Sequence, residues 1–427
     1  MLKIERVELL RSKRDYIYLF SLFALLLFFS LSYEYYNYKQ LTRFDSQLIR
    51  ATVLKQYTKT NVNPKGEKKS YQVLKLKSSD GFTFYSIAPK NLPNYKGKDL
   101  KLEIWAGKIS FISYLKGFFA FSKILQINNN PTLKEYITTL IDNAHADRNI
   151  AAIYQALFLA KQLPYHLQQI FSTLGISHLI AISGFHLGVL STLLFFLIKY
   201  PYKLLQNSYF PYRSAKRDLF SIISIILLSY MLFLDTPPSL LRSFVMLLIG
   251  FILYDKGIKI ISMQTLLMTV LLLLALFPRL IFSVGFFLSL SGVFYIFLFL
   301  IYFQNKSKLW QFILLPLWVY FMMLPYSLTL FGNFSIYHPF SIFLTSLFTL
   351  FYPLSIFLHV IGFGDLLDGV LKSLIQINPH VVKITLPSTL LLTEILLSLL
   401  AIIKKEAFYL LLILDFSIFI YSVYYVT

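Results

Sequence analysis

GISHLIAISGFHLGVLSTLLFFLIKY, residues 175–200, has a mouth of small and polar residues that opens onto an apolar run. Such a run is suited to crossing a hydrocarbon core of about 30 Å as a helix. Polar groups are costly in that medium, so His178, Ser183, Gly184 and His186 need a reason for being there. Several other runs reach roughly 18 apolar residues. The 427-residue chain is 57% hydrophobic and 18% aromatic, with a mean hydropathy of +0.64. No soluble globular protein of this length needs so much apolar surface, so the class is a polytopic α-helical membrane protein. Cysteine is absent, which excludes a disulfide framework and a thiolate site.

Charge orients the spans. The first apolar run, Tyr16 to Tyr33, follows Lys3, Arg6, Arg11, Lys13 and Arg14. It is too long for a signal peptide and lacks a small-residue cleavage site, so it reads as an anchor with a cytoplasmic N-terminus. The span at 176–198 carries Lys199, Lys203, Arg213, Lys216 and Arg217 downstream and no Lys or Arg over Leu163 to Gly175. It therefore runs from outside to inside. Further spans are expected near 219–234, 239–254, 261–277, 282–302 and 309–328. Lys256, Lys259, Lys306 and Lys308 then fall inside, and the loops at Asp235–Pro238 and Pro278–Arg279 outside. Residues 336–362 are interrupted by Pro353, and the charges agree only if they enter and return as a re-entrant pair; otherwise one span is miscounted. LLDGVLKSLIQI (366–377) reads as interfacial. Spans at 386–403 and 407–426 follow.

The chain's net charge is +20, and residues 34–130 alone hold 17 Lys/Arg against 6 Asp/Glu. That stretch is the one long non-hydrophobic segment. QLIRATVLKQYT, SYQVLKLKS, GFTFYSIAP, DLKLEIW and GKISFISY alternate like strands, separated by NPKGEK, SSDG, PNYKGK and AG. Five short strands suggest a small barrel or sandwich, with an OB-fold as one candidate. The expected organisation is a cytoplasmic N-terminus and first span (1–33), a basic extracytoplasmic OB-like β domain (34–127), an amphipathic helical segment on the outer membrane face (128–175) and a multi-span domain (176–427).

Absences narrow the chemistry. Gly-Lys occurs at 97–98 and 107–108, followed by Asp99 and Ile109, with no glycine five residues upstream. This is not a phosphate-cradling loop. The seven histidines include no His-Glu-x-x-His, which argues against a zinc enzyme. No metal or other cofactor is expected.

On one continuous helix His178 and His186, eight apart, would share a face, with Ser183-Gly184 between them as a place to bend or break. They either meet headgroups and water at a helix start or turn a polar face toward a cavity. Ala181-Ile182-Ser183-Gly184 also resembles the Gly-x-Ser-Gly of rhomboid proteases, a chemistry that needs a histidine from another helix. Arg242, in PPSLLRSFVMLL, either snorkels to the interface or lines an anion path. Glu394 and Asp415 lie inside apolar runs, where helix–helix hydrogen bonding is the expected role. Asn333 and His338, in FGNFSIYHP, read as an outer turn. Lys75, Lys77, Phe82, Phe84, Tyr85, Lys90, Tyr95, Lys96 and Lys98 interleave cations with aromatics. That mixture suits single-stranded nucleic acid or a solvated face beside anionic lipid.

Together these pieces resemble the ComEC competence proteins, inner-membrane DNA-uptake channels of natural transformation. GISHLIAISGFHLGVL is similar to the family's Gly-Leu-Ser-His-Leu-Leu-Ala-Ile-Ser-Gly-Leu-His-Val signature. YQALFLAKQLPYHLQQIFSTL precedes it with the family's cadence, although Ala160 stands where glycine is usual. PPSLLRSFVM resembles the proline-then-Arg-x-x-x-Met span at Arg242 and Met246. FPRLIFSVGFFLSLSGV resembles the Pro…Gly-Phe-x-Leu-Ser motif at Pro278, Gly285, Phe286, Leu288 and Ser289, with Phe287 replacing a common glutamine. LPYSLTLFGNFSIYHP carries the region of Asn333 and Pro339, and KGFFAFSKILQI resembles the stretch that closes the family's OB-like domain. The resemblance is strong from 150 to 340 and weak at 34–130.

What it implies is a channel for single-stranded DNA in the bacterial cytoplasmic membrane, with a periplasmic β domain. His178, Ser183, Gly184, His186, Arg242 and Asn333 would be candidates for the DNA path. Lys75, Lys77, Phe82, Phe84, Tyr85, Lys96 and Lys98 would be candidates for outer-domain contacts. Implied partners are single-stranded DNA, membrane lipid, an extracytoplasmic DNA-receptor protein, and a cytoplasmic motor or single-strand DNA-binding proteins; a homo-oligomer is compatible. The reading is of a transport protein, not an enzyme. Many relatives carry a C-terminal metallo-β-lactamase-like domain, whose His/Asp motif this sequence lacks, so strand degradation is expected from another protein. An intramembrane serine protease and a small-molecule or lipid-linked permease are the rival readings.

Overall fold

The computed structural model describes residues 10, 12–62, 68–128, 133–377 and 381–426. Lys3, Arg6 and Arg11 of the basic N-terminus, and Asn63 to Glu67 of the first expected turn, lie outside the described residues. The chain forms two compact units. One is Ser12–Thr132 with Leu271–Ser283; the other is Met1–Arg11, Leu133–Val270 and Val284–Thr427.

The first unit begins with α1 (Lys13–Leu41). Ser12 caps it, accepting from the Asp15 amide while the Asp15 carboxylate accepts from the Ser12 amide; this reciprocal pair satisfies two orphan donors of the first turn. Most of α1 is exposed apolar surface, until Leu41 enters the core of a six-stranded mixed sheet. The strands are β1 (Gln47–Val62), β2 (Lys68–Ser78), β3 (Thr83–Ala88), β4 (Asp99–Trp105), β5 (Phe118–Phe119) and β6 (Phe121–Asn128), with helix α2 (Phe111–Lys116) before β5. Alternation decides which faces are buried. Leu74 and Leu76, Phe82 and Phe84, and Leu100, Leu102 and Ile104 point into the core, with Val53, Tyr114 and Phe118.

The first four expected strands form where alternation placed them. The fifth, GKISFISY, does not: Phe111–Lys116 is helical. Ser110 accepts from the Ser113 amide at 3.3 Å and Gly117 ends the turn at φ 103°, a serine N-cap and a left-handed glycine stop that outweigh the β-like composition. The strand pairings fall instead to KGFFAFSKILQI. The hydrogen-bonded order is β5-β3-β2-β1-β4-β6. β5 runs parallel to β3, β6 antiparallel to β4, and Ala120 alone separates β5 from β6. The Ala120 amide donates to Tyr85 O at 2.9 Å, and the Ser86 and Ser122 hydroxyls meet at 2.7 Å.

The second unit is helical. It contains α3 (Leu133–Ala144), α4 (Arg148–Leu159), α5 (Tyr165–Thr173), α6 (Ser177–Ile180), α7 (Gly184–Tyr209), α8 (Ala215–Phe233), α9 (Pro238–Asp255), most of α10 (Met263–Leu276), α11 (Val284–Tyr302) and α12 (Lys308–Leu330). After β7 (Asn333–Phe334) come α13 (Ser341–Val360), α14 (Asp368–Gln376), β8 (Val382–Lys383), α15 (Ser388–Leu400) and α16 (Lys405–Tyr424); β7 pairs with β8. Among the described residues six helical segments are long and apolar enough to cross a bilayer: α1, α7, α11, α12, His338–Val360 and α16. The chain is a multi-pass membrane protein.

Two expectations change here. The span placed at 176–198 is α7, which starts at Gly184. The segment placed at 336–362 does not turn back at Pro353; α13 is one helix through it, as neighbouring helices in a membrane domain permit. The stretch expected as an amphipathic segment on the outer face contains α4, whose Ile150, Ala151, Ile153, Tyr154, Ala156, Leu157 and Leu159 are all buried. They form a core with α5, α6, Phe348 and Tyr352 of α13, and Leu371 of α14.

Ala160 ends α4 at φ 55°, the left-handed region. That conformation costs an L-residue roughly 1–2 kcal/mol, and glycine avoids the penalty. Ala160→Gly should therefore stabilise the protein by about 1 kcal/mol, read as a higher thermal midpoint in detergent. An unchanged or lower midpoint would mean that the surrounding packing already absorbs the strain.

Candidate functional site

The quoted stretch folds as two helices with a break between them. Gly175 turns the chain at φ 72° and α6 follows. The backbone is then non-helical through Ala181–Ser183 before α7 begins. His178 and His186 therefore do not share a helical face. His178 is exposed on α6, and His186 is buried in the first turn of α7.

Ser183 makes the break. Its backbone is extended (φ −136°, ψ 177°). Its amide and its hydroxyl converge on His186 Nδ1 at 3.2 and 3.1 Å. Because the amide can only donate, Nδ1 is the acceptor and the ring carries its proton on Nε2. That Nε2 is buried and makes no hydrogen bond of normal geometry. The ring packs edge-on against Tyr352 and Phe348 of α13, at 4.7 and 5.2 Å between centroids.

α9 supports the break from the side. Pro238 opens it as a first-turn proline, which needs no amide partner there. One residue on, Ser239 donates to Ile182 O at 2.8 Å, satisfying a carbonyl exposed by the gap between α6 and α7. Ser243, one turn further, lies against Gly184: a Cβ at Gly184 would sit 2.1 Å from the Ser243 hydroxyl. Between these serines stands Arg242. It is 6% exposed, so it is enclosed by protein and does not snorkel. Its guanidinium carbon lies 5.6 Å from the Phe286 ring centre, within cation–π range, and Nε and Nη1 have no hydrogen-bond partner.

Asn333 follows Gly332 (φ 68°) in β7 and reaches Ser172 Oγ of α5 at 3.4 Å. His338 covers Gly175, where a Cβ would fall 3.0 Å from its ring. The outer turn expected at FGNFSIYHP is thus packed onto the α5–α6 connection.

In the sheet unit the candidate contacts separate. Register aligns Lys55, Lys75, Tyr85 and Phe119 across β1, β2, β3 and β5, and Lys75 Nζ lies 5.4 Å from the Tyr85 ring centre. Lys77 pairs across to Thr52 and Thr83. Lys96 is exposed and Lys98 half-buried in the β3–β4 connection. Phe82 and Phe84 are core residues; inward alternation removes both from any surface contact, which corrects the expectation for them. Exposed aromatics that sequence reasoning missed lie nearby: Phe119, Phe121 and Trp105 are 46, 63 and 43% exposed. Trp105 pairs with Phe121, whose ring lies 5.3 Å from that of Phe119.

A polar cluster in the helical unit was also missed. His145 Nδ1 lies 2.9 Å from Asp368, and His145 Nε2 lies 3.0 Å from His359 Nε2. His359 Nδ1 reaches Ser355 O at 2.7 Å. Its members are more than 200 positions from His145 in sequence, so no local pattern could have found them. Among the described residues no group of three His, Cys, Asp or Glu is placed to hold a metal ion.

No curated protein and no solved structure matched the chain. A family model described as Competence protein matches residues 159–427, which takes in the α6–α7 break, Arg242, Asn333 and every helix from α7 to α16. The chain belongs to the competence protein (ComEC) family.

Proposed function

We propose that this member is the conduit for single-stranded DNA across the cytoplasmic membrane during natural transformation, a transport protein and not an enzyme. The observation that carries the reading is Arg242: a buried cation in an apolar helix, beside a polar helix break, with two guanidinium nitrogens unpartnered. A polyanion needs a path lined with such donors, since it cannot cross hydrocarbon. His178, Ser183, Gly184, His186 and Asn333 would shape that path, Gly184 and Ser183 by holding the break.

In this reading the sheet unit is periplasmic and the N-terminus cytoplasmic. The sheet is an OB-like barrel, supported by β5 beside β3, β6 beside β4, and one residue between β5 and β6. Its outward strip Lys55, Lys75, Tyr85, Phe119, Phe121 and Trp105 offers phosphate neutralisation and base stacking, with Lys77, Lys96 and Lys98 adding charge. An extracytoplasmic receptor delivers the strand, a cytoplasmic motor or single-strand DNA-binding proteins receive it, lipid surrounds the helices, and assembly as a homo-oligomer is compatible.

The protease reading fares worse. The histidine on Ser183 belongs to its own helix and is walled in by Phe348 and Tyr352, whereas that chemistry needs a histidine brought from another helix.

The test is to delete the gene and follow labelled donor DNA. Periplasmic DNA should still accumulate while chromosomal transformants vanish, with recovery on return of the wild-type gene. Arg242→Ala should match the deletion at normal membrane abundance, and Arg242→Lys should keep part of the activity. Normal transformant numbers in the deletion strain would remove the DNA reading and leave the permease.

A further inference from the structure

Two carboxyl side chains lie fully buried where four helices meet. Glu394 of α15 and Asp415 of α16 have no exposed surface. Neither oxygen of Asp415 has a hydrogen-bond partner, nor does Oε2 of Glu394. Oε1 of Glu394 accepts from the Tyr295 hydroxyl of α11 at 3.0 Å. That hydroxyl lies 2.8 Å from Ser398 Oγ and 3.4 Å from the Tyr326 hydroxyl of α12. The two carboxyls are near enough for the charge of Asp415 to act on Glu394.

Nothing on the surrounding helices balances them. The titratable groups that act on the two acids from the neighbouring helices are Tyr295 of α11 and Tyr326 of α12, both hydroxyls, and the two carboxyls stand on successive helices, α15 and α16. The Lys and Glu residues of these helices, Lys308, Lys405 and Glu406, stand at their first turns, away from the pair's level. No ion pair to either acid occurs among the described residues. Two fully buried carboxylates without a cation are strongly disfavoured in a membrane interior. A role in helix–helix hydrogen bonding, the expectation from sequence, accounts for one oxygen out of four.

The chemistry that matches three bare carboxyl oxygens is the binding of protons. A metal ion would need a larger set of ligands than these two acids supply. A proton needs one lone pair, and Tyr295 can stabilise whichever form of Glu394 is present, by donating to it. We propose that Glu394 and Asp415 form a proton-binding site in the membrane domain, loaded and emptied under the transmembrane proton gradient. This goes beyond the conduit reading and stands without it; where both hold, the site couples the proton gradient to transport, for which the sequence offers no nucleotide loop.

The test uses the full chain in phosphatidylcholine–phosphatidylglycerol liposomes with a trapped pH indicator and an imposed potassium diffusion potential. Wild type should take up protons at least an order of magnitude faster than Glu394→Gln, Asp415→Asn or empty vesicles. Infrared difference spectra should show a protonated carboxyl band that a chain carrying both Glu394→Gln and Asp415→Asn lacks. A tryptophan-fluorescence melt establishes that the variants are folded; should either amide fail to fold, the wild-type carboxyl band and proton uptake still decide. Absence of uptake and of the band in wild type would overturn the proposal. So would folded amide variants with wild-type flux, or a band displaced by sodium with sodium flux in place of proton flux. Because no DNA is present, failure here leaves the conduit untouched, and failure of the transformation test leaves the proton site untouched.

Discussion

Gly184→Ala should collapse transformation and destabilise the membrane domain by about 2–3 kcal/mol, the upper range for forcing atoms into a packed interior. In open space the change would have the opposite sign, because alanine is the better helix former by up to about 1 kcal/mol. Geometry decides. The new Cβ meets the Ser243 hydroxyl at 2.1 Å and the Ser243 Cβ at 3.0 Å. The hydroxyl is held by donating to Ser239 O at 3.0 Å. Turning it away gives up that bond and still leaves two carbons too close. Ser239 itself holds Ile182 O, so a shift of α9 disturbs the break that ends where α7 begins at Gly184. Ser243→Gly in the same chain should restore most of the loss. Membrane abundance, a detergent melt and transformant counts read all three chains. A wild-type result for Gly184→Ala, or a double variant no better than the single, would show that α7 and α9 have room to part.

Arg279→Ala should destabilise the sheet unit by about 2–3 kcal/mol, somewhat below the 3–5 kcal/mol seen when one partner of a fully buried ion pair is removed, because these groups keep some contact with water. Arg279 Nη2 bonds Glu34 at 2.6 Å and the Tyr114 hydroxyl at 2.9 Å, with its guanidinium carbon 4.9 Å from the Tyr114 ring centre. Burial pushes the Tyr114 hydroxyl up to about 12, so it stays a neutral acceptor for Arg279 at any physiological pH. Removing the arginine leaves the mostly buried Glu34 without its ion-pair partner. Adding Glu34→Gln should recover part of the loss, because an uncharged amide is cheaper to bury than a lone carboxylate. A melt of the detergent-solubilised protein measures both, and equal midpoints for wild type and Arg279→Ala would show that the ion pair contributes nothing.

Membrane class, most helices and four strands were legible because each rests on a local period. A strand with Leu74 and Leu76 inward and Lys75 and Lys77 outward announces itself in four residues. The fifth strand was misplaced because Ser110 and Gly117, single residues with strong terminal preferences, turned a β-like run into α2. α4 was legible as a helix from its apolar spacing, but which neighbours cover that spacing was not. The site was legible as a list and not as an arrangement. His178, Ser183, Gly184, His186 and Arg242 were visible as polar residues in apolar runs, and the break near Ser183 was foreseeable from its glycine neighbour. That Ser239 and Ser243 hold the break from α9 was not foreseeable, since two serines in an apolar helix carry no signal until another helix is placed beside them. Phe82 and Phe84 show the reverse error: composition suggested a surface, and the period-two burial that runs from the turn before β3 into the strand put them inside.

The sheet unit is assembled from two stretches of chain, and this has a consequence in time. Leu271–Ser283, which brings Arg279, lies 139 residues beyond Thr132. At about 5–20 residues per second, roughly 7 to 28 s of synthesis pass between the end of the strands and the arrival of the arginine. Throughout that interval Glu34 and Tyr114 wait without their partner. The strands can pair as soon as Asn128 has emerged, but the unit matures only after α3 to α9 have been made, so a ribosome stalled within those helices leaves it unfinished and open to proteolysis.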